Sequence, residues 1–179
     1  MHRNERHYPN GSGSVVAIMG HPLHPMIVPF PMVCFVGVLA GDLAYLSTLD
    51  SFWSRLSFTL LAAGLLTGLL AALLGALEAA SLQRARSAGA LWAHAGANVL
   101  AMIASLANLK LRWEAEGLWV SAGPYLSAVV AVLLLIGGWF GGSLAYKHGI
   151  GVSGRVGSRE PNADPDLTPR GSADVAREG

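Results

Sequence analysis

The sequence is poor in charge and contains a single cysteine. Asp, Glu, Lys and Arg make up only 13% of its 179 residues, about half of the usual share in soluble domains. Because 12 basic and 11 acidic residues leave a net charge of +1, the chain lacks the positive field that nucleic-acid binding requires. Cys34 cannot form an internal disulfide, and it lies in an apolar run as a packing residue. The absence of a catalytic triad, a phosphate loop and a nucleotide fingerprint argues against an enzyme.

Apolar residues take the place of the missing charge. They form 53% of the chain and cluster in four runs, each of which reaches the ~20 residues that cross a bilayer. We therefore predict an all-α membrane protein with four transmembrane helices, joined by short connections into an up-down-up-down bundle. The predicted spans are residues 26–46, 56–77, 90–109 and 124–146. They belong to a domain of residues 20–152, between a polar arm (1–19) and a disordered tail (153–179) that lacks aromatic residues.

The distribution of Lys and Arg predicts the orientation of the bundle, because cytoplasmic loops retain basic residues. One side carries seven of them: Arg3, Arg6, Arg84, Arg86, Lys147, Arg155 and Arg159. The other side carries three: Arg55, Lys110 and Arg112. We predict a protein of the bacterial inner membrane, surrounded by lipid, with both termini in the cytoplasm.

Glycines four residues apart mark faces where membrane helices approach closely. They occur in three of the predicted spans, as Gly37 and Gly41, Gly64 and Gly68, and Gly137, Gly138, Gly141 and Gly142. These faces serve packing within the bundle, or contact with a second copy or another membrane subunit.

The ionisable residues of the spans are predicted to meet at the cytoplasmic face. They are His21, His24, Glu78, His94 and His148. Pro29 and Pro31 cannot donate backbone hydrogen bonds, so the segment GHPLHPMIVPFP at residues 20–31 is expected to fold into the mouth of the bundle. This fold would bring His21 or His24 toward His94 and His148.

Polar residues of the third span share one helix face. His94, Asn98, Ala101, Ser105 and Asn108 lie within a stripe of about 80° at 100° per residue, which predicts an inward surface. Asp42 lies 18 residues after His24, or about 27 Å along a helix. It is either a solvated helix end or a buried partner of Asn108, which reaches the same depth.

Converging imidazoles predict a metal centre, because neutral histidine is the usual ligand of zinc, copper and iron. The candidate ligands for a transition metal are His21, His24, His94 and His148, with Glu78 behind them. For haem b, His94 and His148 are the predicted axial pair, although close glycine contacts leave little room for a porphyrin. The structural alternative is that the histidines cap helix ends, bind freed carbonyls and fix the entry loop.

Five features occur together along the chain: GHPLHPMIVPFPMV at residues 20–33, Asp42, Glu78, His94 with Asn98, and GGSLAYKHGIGV at residues 141–152. In this combination the chain resembles the bacterial membrane family called domain of unknown function 2231, over about residues 15–152. The resemblance implies four-helix integral membrane proteins, some joined to Rieske iron–sulfur domains, which points to electron transfer. The chain differs at Glu78, where relatives often have Asp, and it has no Rieske cysteine–histidine motif.

These features predict a polytopic inner-membrane protein whose histidine cluster binds haem b or a transition metal for electron transfer. The alternative is a non-catalytic accessory subunit of a larger energy-converting membrane complex, docked through its glycine faces. A small transporter is less favoured, because four helices leave little room for alternating access unless the protein oligomerises.

Overall fold

The computed structural model describes residue 14 and residues 16–19, 21–81, 89–114 and 118–148. Its elements in chain order are β1 (Ala17–Ile18), β2 (His21–Pro22), α1 (Leu23–Ile27), α2 (Pro29–Thr48), α3 (Ser51–Ser81), α4 (Gly89–Glu114) and α5 (Leu118–His148). The tail predicted to be disordered and most of the polar arm lie outside these residues.

The four-helix membrane architecture predicted from the sequence is confirmed. Four stretches are long and apolar enough to cross a bilayer: Leu23–Thr48, Ser51–Ser81, Gly89–Glu114 and Val120–Tyr146. Each predicted span lies inside one of them, but the helices continue past both ends of nearly every predicted span. The spans were predicted from the shortest apolar run that crosses a bilayer. Such a prediction leaves out the terminal turns of the helices, because these turns carry polar and interfacial residues.

The side chains are distributed as expected for a protein surrounded by lipid. Bulky apolar residues point outward, with Leu66, Leu135 and Trp139 more than 70% exposed. The interior holds smaller or polar residues, because membrane helices associate through close packing rather than through the hydrophobic effect. The apolar core consists of Phe35, Val38, Leu61, Ala101, Val130 and Leu134.

The helices pack as two hairpins, and contacts within each hairpin are more extensive than contacts between them. The first hairpin consists of α1, α2 and α3, and the second consists of α4 and α5. A two-residue turn joins α2 to α3. In it Leu49 adopts a left-handed conformation, with φ of 57°, and its N–H donates to the Tyr45 carbonyl at 2.7 Å. The Asp50 carboxylate accepts from the Phe52 N–H at 2.8 Å and caps the start of α3.

The first span is interrupted at Val28, which separates α1 from α2. The Val28 N–H still donates to the His24 carbonyl at 3.1 Å, so the two helices form one nearly continuous rod. Pro29 begins α2 and has no N–H to donate to the Pro25 carbonyl, which accounts for the interruption at this point of the rod. The short helix α1 thereby carries His24 against α3.

The segment before α1 folds back as a small antiparallel β-hairpin. Ala17 pairs with Pro22 and Ile18 pairs with His21, and the Leu23 N–H donates to the Val16 carbonyl at 3.0 Å. This arrangement places Ser14 and Val16 beside the C-terminal part of α3, where Glu78 lies.

Candidate functional site

Two histidines from different hairpins meet inside one end of the bundle, which we call the histidine end. His24 on α1 and His94 on α4 are both partly buried. Their ring centroids are 6.3 Å apart, and their planes are nearly perpendicular, at 88°. The two rings are therefore close enough to share one ligand.

Each ring is oriented by a backbone carbonyl of its own hairpin. His24 Nδ1 lies 2.8 Å from the Ala71 carbonyl oxygen of α3, and His94 Nδ1 lies 2.7 Å from the Gly137 carbonyl oxygen of α5. A carbonyl oxygen only accepts, so each Nδ1 carries the proton and donates. In the neutral rings this leaves a lone pair on each Nε2. The described residues offer neither Nε2 a hydrogen-bond partner.

Glycines make room for both rings. A Cβ atom on Gly75 would lie 2.9 Å from His24 Cε1, and one on Gly141 would lie 2.9 Å from His94 Nδ1. Real Cβ atoms essentially never approach a neighbour this closely. The space beside Gly75 and Gly141 is thus occupied by the Nδ1–Cε1 edge of an imidazole.

Asn98 supports His94 from one turn further along α4. Its Nδ2 donates to the His94 carbonyl at 2.8 Å and lies 3.4 Å from His94 Nδ1. Because His94 Nδ1 carries a proton and donates to Gly137, it has no lone pair to accept from Asn98. The hydrogen bond of Asn98 therefore goes to the His94 carbonyl. Gly137 leaves room for Asn98, since a Cβ there would lie 2.8 Å from Nδ2.

Glu78 is buried at the same end but is bound to the N-terminal segment. Its Oε2 accepts from the Ser14 hydroxyl at 2.7 Å and from the Val16 N–H at 3.2 Å. The carboxylate lies near enough to His24 for a Coulombic interaction. Glu78 therefore fixes the β-hairpin across the end of α3.

The other predicted ligands are placed differently. His21 is exposed, and its Nδ1 bonds the Met19 carbonyl at 3.1 Å. His148 ends α5, but its side chain lies outside the described residues. Among the residues that the structure describes, no three His, Cys, Asp or Glu side chains form a group that could hold a metal ion. Within the described part of the chain, the imidazoles of His24 and His94 are therefore the candidate donors inside this end.

A second polar cluster closes the opposite end of the bundle, which we call the ion-pair end. Asp42 of α2 is completely buried, and both of its oxygens accept from Arg112 Nη2 of α4 at 2.7 Å. The Ser127 hydroxyl donates to Asp42 Oδ2 at 2.7 Å. Asn108 Oδ1 accepts from Arg112 Nε at 3.0 Å, and Asn108 Nδ2 donates to Ser127 at 3.0 Å. Asp42 is thus a buried residue, and its direct partners are Arg112 and Ser127 rather than Asn108.

Arg112 and Ser127 are interior residues that were not predicted from the sequence. Arg112 was counted only as a loop charge, although it lies four residues after Asn108 on the polar stripe of α4. Ser105, also on this stripe, is completely buried, and its hydroxyl has no hydrogen-bond partner among the described residues. The apolar core lies between the two polar ends.

Comparison with known proteins finds one family model that matches residues 20–154, described as "Predicted membrane protein (DUF2231)". No curated protein and no solved structure matches the chain.

Proposed function

The chain belongs to the DUF2231 family of predicted membrane proteins, and from this premise we propose that it is an electron-transfer protein whose His24–His94 pair ligates a metal centre. The observation that carries the proposal is the state of the two rings. Both Nδ1–H groups are held by carbonyls, as in most metal-binding histidines, while both Nε2 lone pairs are uncommitted.

The separation of the rings fits two imidazoles on one metal. A metal–nitrogen bond is ~2.0–2.1 Å, and the centre of a five-membered ring lies about 1.1 Å behind its nitrogen. Two imidazoles on one metal would therefore have centroids no more than about 6.3 Å apart, and the 6.3 Å between His24 and His94 allows this. Perpendicular planes avoid contact between the ring hydrogens.

Two donors are also the number that haem b requires from a protein, since the porphyrin supplies the remaining four nitrogens. When bound, haem b would supply one-electron chemistry. The residues of this chain would hold the two rings, fix their tautomers and exclude bulk water. A single transition-metal ion on two imidazoles needs less lateral room, and Gly75 and Gly141 already pack against the rings. Absorbance and elemental analysis distinguish haem b from a single transition-metal ion at this site.

The proposal is tested on the full-length protein, purified in detergent, by absorbance and by elemental analysis for Fe, Cu, Ni and Zn. We expect one metal per chain, with a Soret band if the metal is haem iron. His24→Asn and His94→Asn place an amide N–H near the Nδ1 position but remove Nε2, so both should fold and lose the metal. His21→Asn is the matched control and should retain it. A colourless wild-type protein without stoichiometric metal would contradict the proposal, and stoichiometric zinc, which has no redox chemistry, would contradict electron transfer.

The site is proposed to lie at the cytoplasmic face of the bacterial inner membrane. Support comes from the excess of Lys and Arg on the side that carries the histidine end, seven against three. Labelling of single cysteines from either side of sealed vesicles tests this orientation. A cysteine at exposed His21 should react only from the cytoplasmic side, and one at exposed Leu49 only from the other.

A second candidate function is an accessory subunit of a larger energy-converting membrane complex. It is favoured by the outer face of α5, where Cβ atoms on Gly138 and Gly142 would meet nothing within 4 Å. These two glycines are four residues apart and leave a shallow outer surface where another membrane helix could pack. Gly138→Leu with Gly142→Leu should reduce the mass of the native complex isolated in mild detergent. Gly96→Leu, at an equally open position on α4, should not.

A further inference from the structure

The buried positions of the first and third spans coincide when 70 is added to the residue number. In the first span they include Pro31, Phe35, Val38 and Asp42. Adding 70 gives Ala101, Ser105 and Asn108, which are buried, and Arg112, whose side chain is 3% exposed. Gly41 and Ala97 are buried without a buried counterpart. The same shift relates His24 to His94.

In the second and fourth spans, every buried position of one coincides with a buried position of the other when 66 is added to the residue number. The buried residues of α3 are Ser57, Leu61, Gly64, Gly68, Ala71 and Glu78. The buried residues of α5 are Gly123, Ser127, Val130, Leu134, Gly137 and Leu144. In both helices the buried pattern begins at equivalent residues and skips equivalent residues, Gly75 and Gly141, which are only partly buried. A helical period that the two helices share by chance would not produce both coincidences.

Equivalent residues also make equivalent contacts inside each hairpin. His24 bonds the Ala71 carbonyl and packs on Gly75, as His94 bonds the Gly137 carbonyl and packs on Gly141. Further along, the Ser57 hydroxyl donates to the Val38 carbonyl at 3.3 Å. At the equivalent positions, Asn108 Nδ2 donates to the Gly123 carbonyl at 3.2 Å. At this second end the donor side chain lies on the opposite helix of the hairpin, so the same two positions are bonded in both hairpins although donor and acceptor are exchanged.

Residues that correspond to each other also touch each other across the bundle. His24 meets His94 at one end, and Asp42 meets Arg112 at the other. A residue contacts its own counterpart only beside a two-fold axis. Because α2 and α4 run in the same direction in an up-down-up-down bundle, such an axis lies along the membrane normal, as in other parallel membrane repeats.

We infer that the chain is a tandem duplication of one helical hairpin, related by a pseudo-two-fold axis, and that the Asp42–Arg112 pair is the clamp that joins the two copies on this axis. The inference is independent of any ligand of the histidines. The two contacts between counterparts lie at the two ends of the bundle, and the apolar core, to which both hairpins contribute, lies between them. Contacts between the hairpins are sparser than those within them, so the clamp adds to the association that the shared apolar core provides.

An exchange of residues across the axis tests the clamp. The full exchange swaps three equivalent pairs in the complete protein: Val38→Asn with Asn108→Val, Asp42→Arg with Arg112→Asp, and Leu61→Ser with Ser127→Leu. The half exchange carries only Val38→Asn, Asp42→Arg and Leu61→Ser, and it places two arginines face to face. We expect the half exchange to lower the melting temperature in detergent by about 10 °C or more, and the full exchange to recover more than half of that loss.

Distances between spin labels test the duplication without disturbing the interior. The labels replace exposed residues in a Cys34→Ala background. One pair joins residues 33 and 139, and the equivalent pair joins residues 103 and 73. A two-fold axis requires the same mean distance for both pairs. Distance distributions that do not overlap would overturn the duplication. A full exchange no more stable than the half exchange would overturn the assignment of the clamp to the axis.

Discussion

Removal of Arg112 should destabilise the protein strongly, because it would leave a buried carboxylate without its counter-charge. Arg112→Met preserves most of the side-chain length but removes both hydrogen bonds to Asp42 and the one to Asn108. Among the described residues, Asp42, which is completely buried, then retains only the Ser127 hydroxyl as a donor, at 2.7 Å. Loss of one partner of a buried ion pair costs about 3–5 kcal/mol, and we expect Arg112→Met to fall in this range.

The double variant Asp42→Leu with Arg112→Met shows whether the cost comes from the orphaned charge. Without any buried charge, the end of the bundle becomes apolar, and such replacements of buried ion pairs are often neutral or stabilising. We therefore expect the double variant to recover at least half of the free energy of unfolding lost by Arg112→Met. Titration with SDS, followed by circular dichroism, measures this free energy for the full chain.

A surface ion pair provides the matched control. Lys110 and Glu114 lie 3.8 Å apart, and both side chains are more than 60% exposed, so Lys110→Met should change the free energy of unfolding by less than about 0.5 kcal/mol. If Arg112→Met is no more destabilising than Lys110→Met, the orphaned carboxylate does not have the cost given above. If the double variant is as unstable as the single one, the lost stability does not come from the orphaned charge.

Three further predictions concern local contacts. Gly75→Ala should cost about 1–3 kcal/mol by pushing on the His24 ring, whereas Gly138→Ala, with open space around it, should cost less than about 0.5 kcal/mol; thermal unfolding compares the two. Leu49→Gly should stabilise the protein by up to about 1 kcal/mol, because glycine adopts the positive φ of this turn without strain, and a lower midpoint in the same assay would contradict this. Glu78→Ala should speed hydrogen exchange at the Val16 amide, which loses its acceptor, while exchange at the Phe52 amide near the far end should not change.

The fold could be predicted from the sequence because the signal for a membrane span is long and local. Four apolar runs and short connections between them are sufficient for an antiparallel bundle, and the family resemblance agrees with it. The ends of the helices were less well predicted. The turns that contain Arg55 or Arg112 are helical although they are charged, because their side chains reach the interface or a buried partner.

The candidate site could be predicted only in part, because the sequence gives the face and the depth of a residue but not its partner. The stripe through His94 and Asn98 is visible at helical spacing, and so is the depth of His24. The carbonyls of Ala71 and Gly137 could not be predicted, since every residue carries the same backbone acceptor. The role of Arg112 was missed because a charge near a helix end normally points to solvent.

The Asp42–Arg112 pair has a consequence for how such a bundle could have evolved. If two separate copies of one hairpin formed a symmetric dimer, the position on the axis would face itself, and an acid would meet an acid. Covalent fusion removes this restriction, because each half can then mutate alone. One copy could become acidic and the other basic, so that a point of self-repulsion became an attraction specific for the correct pairing of the halves.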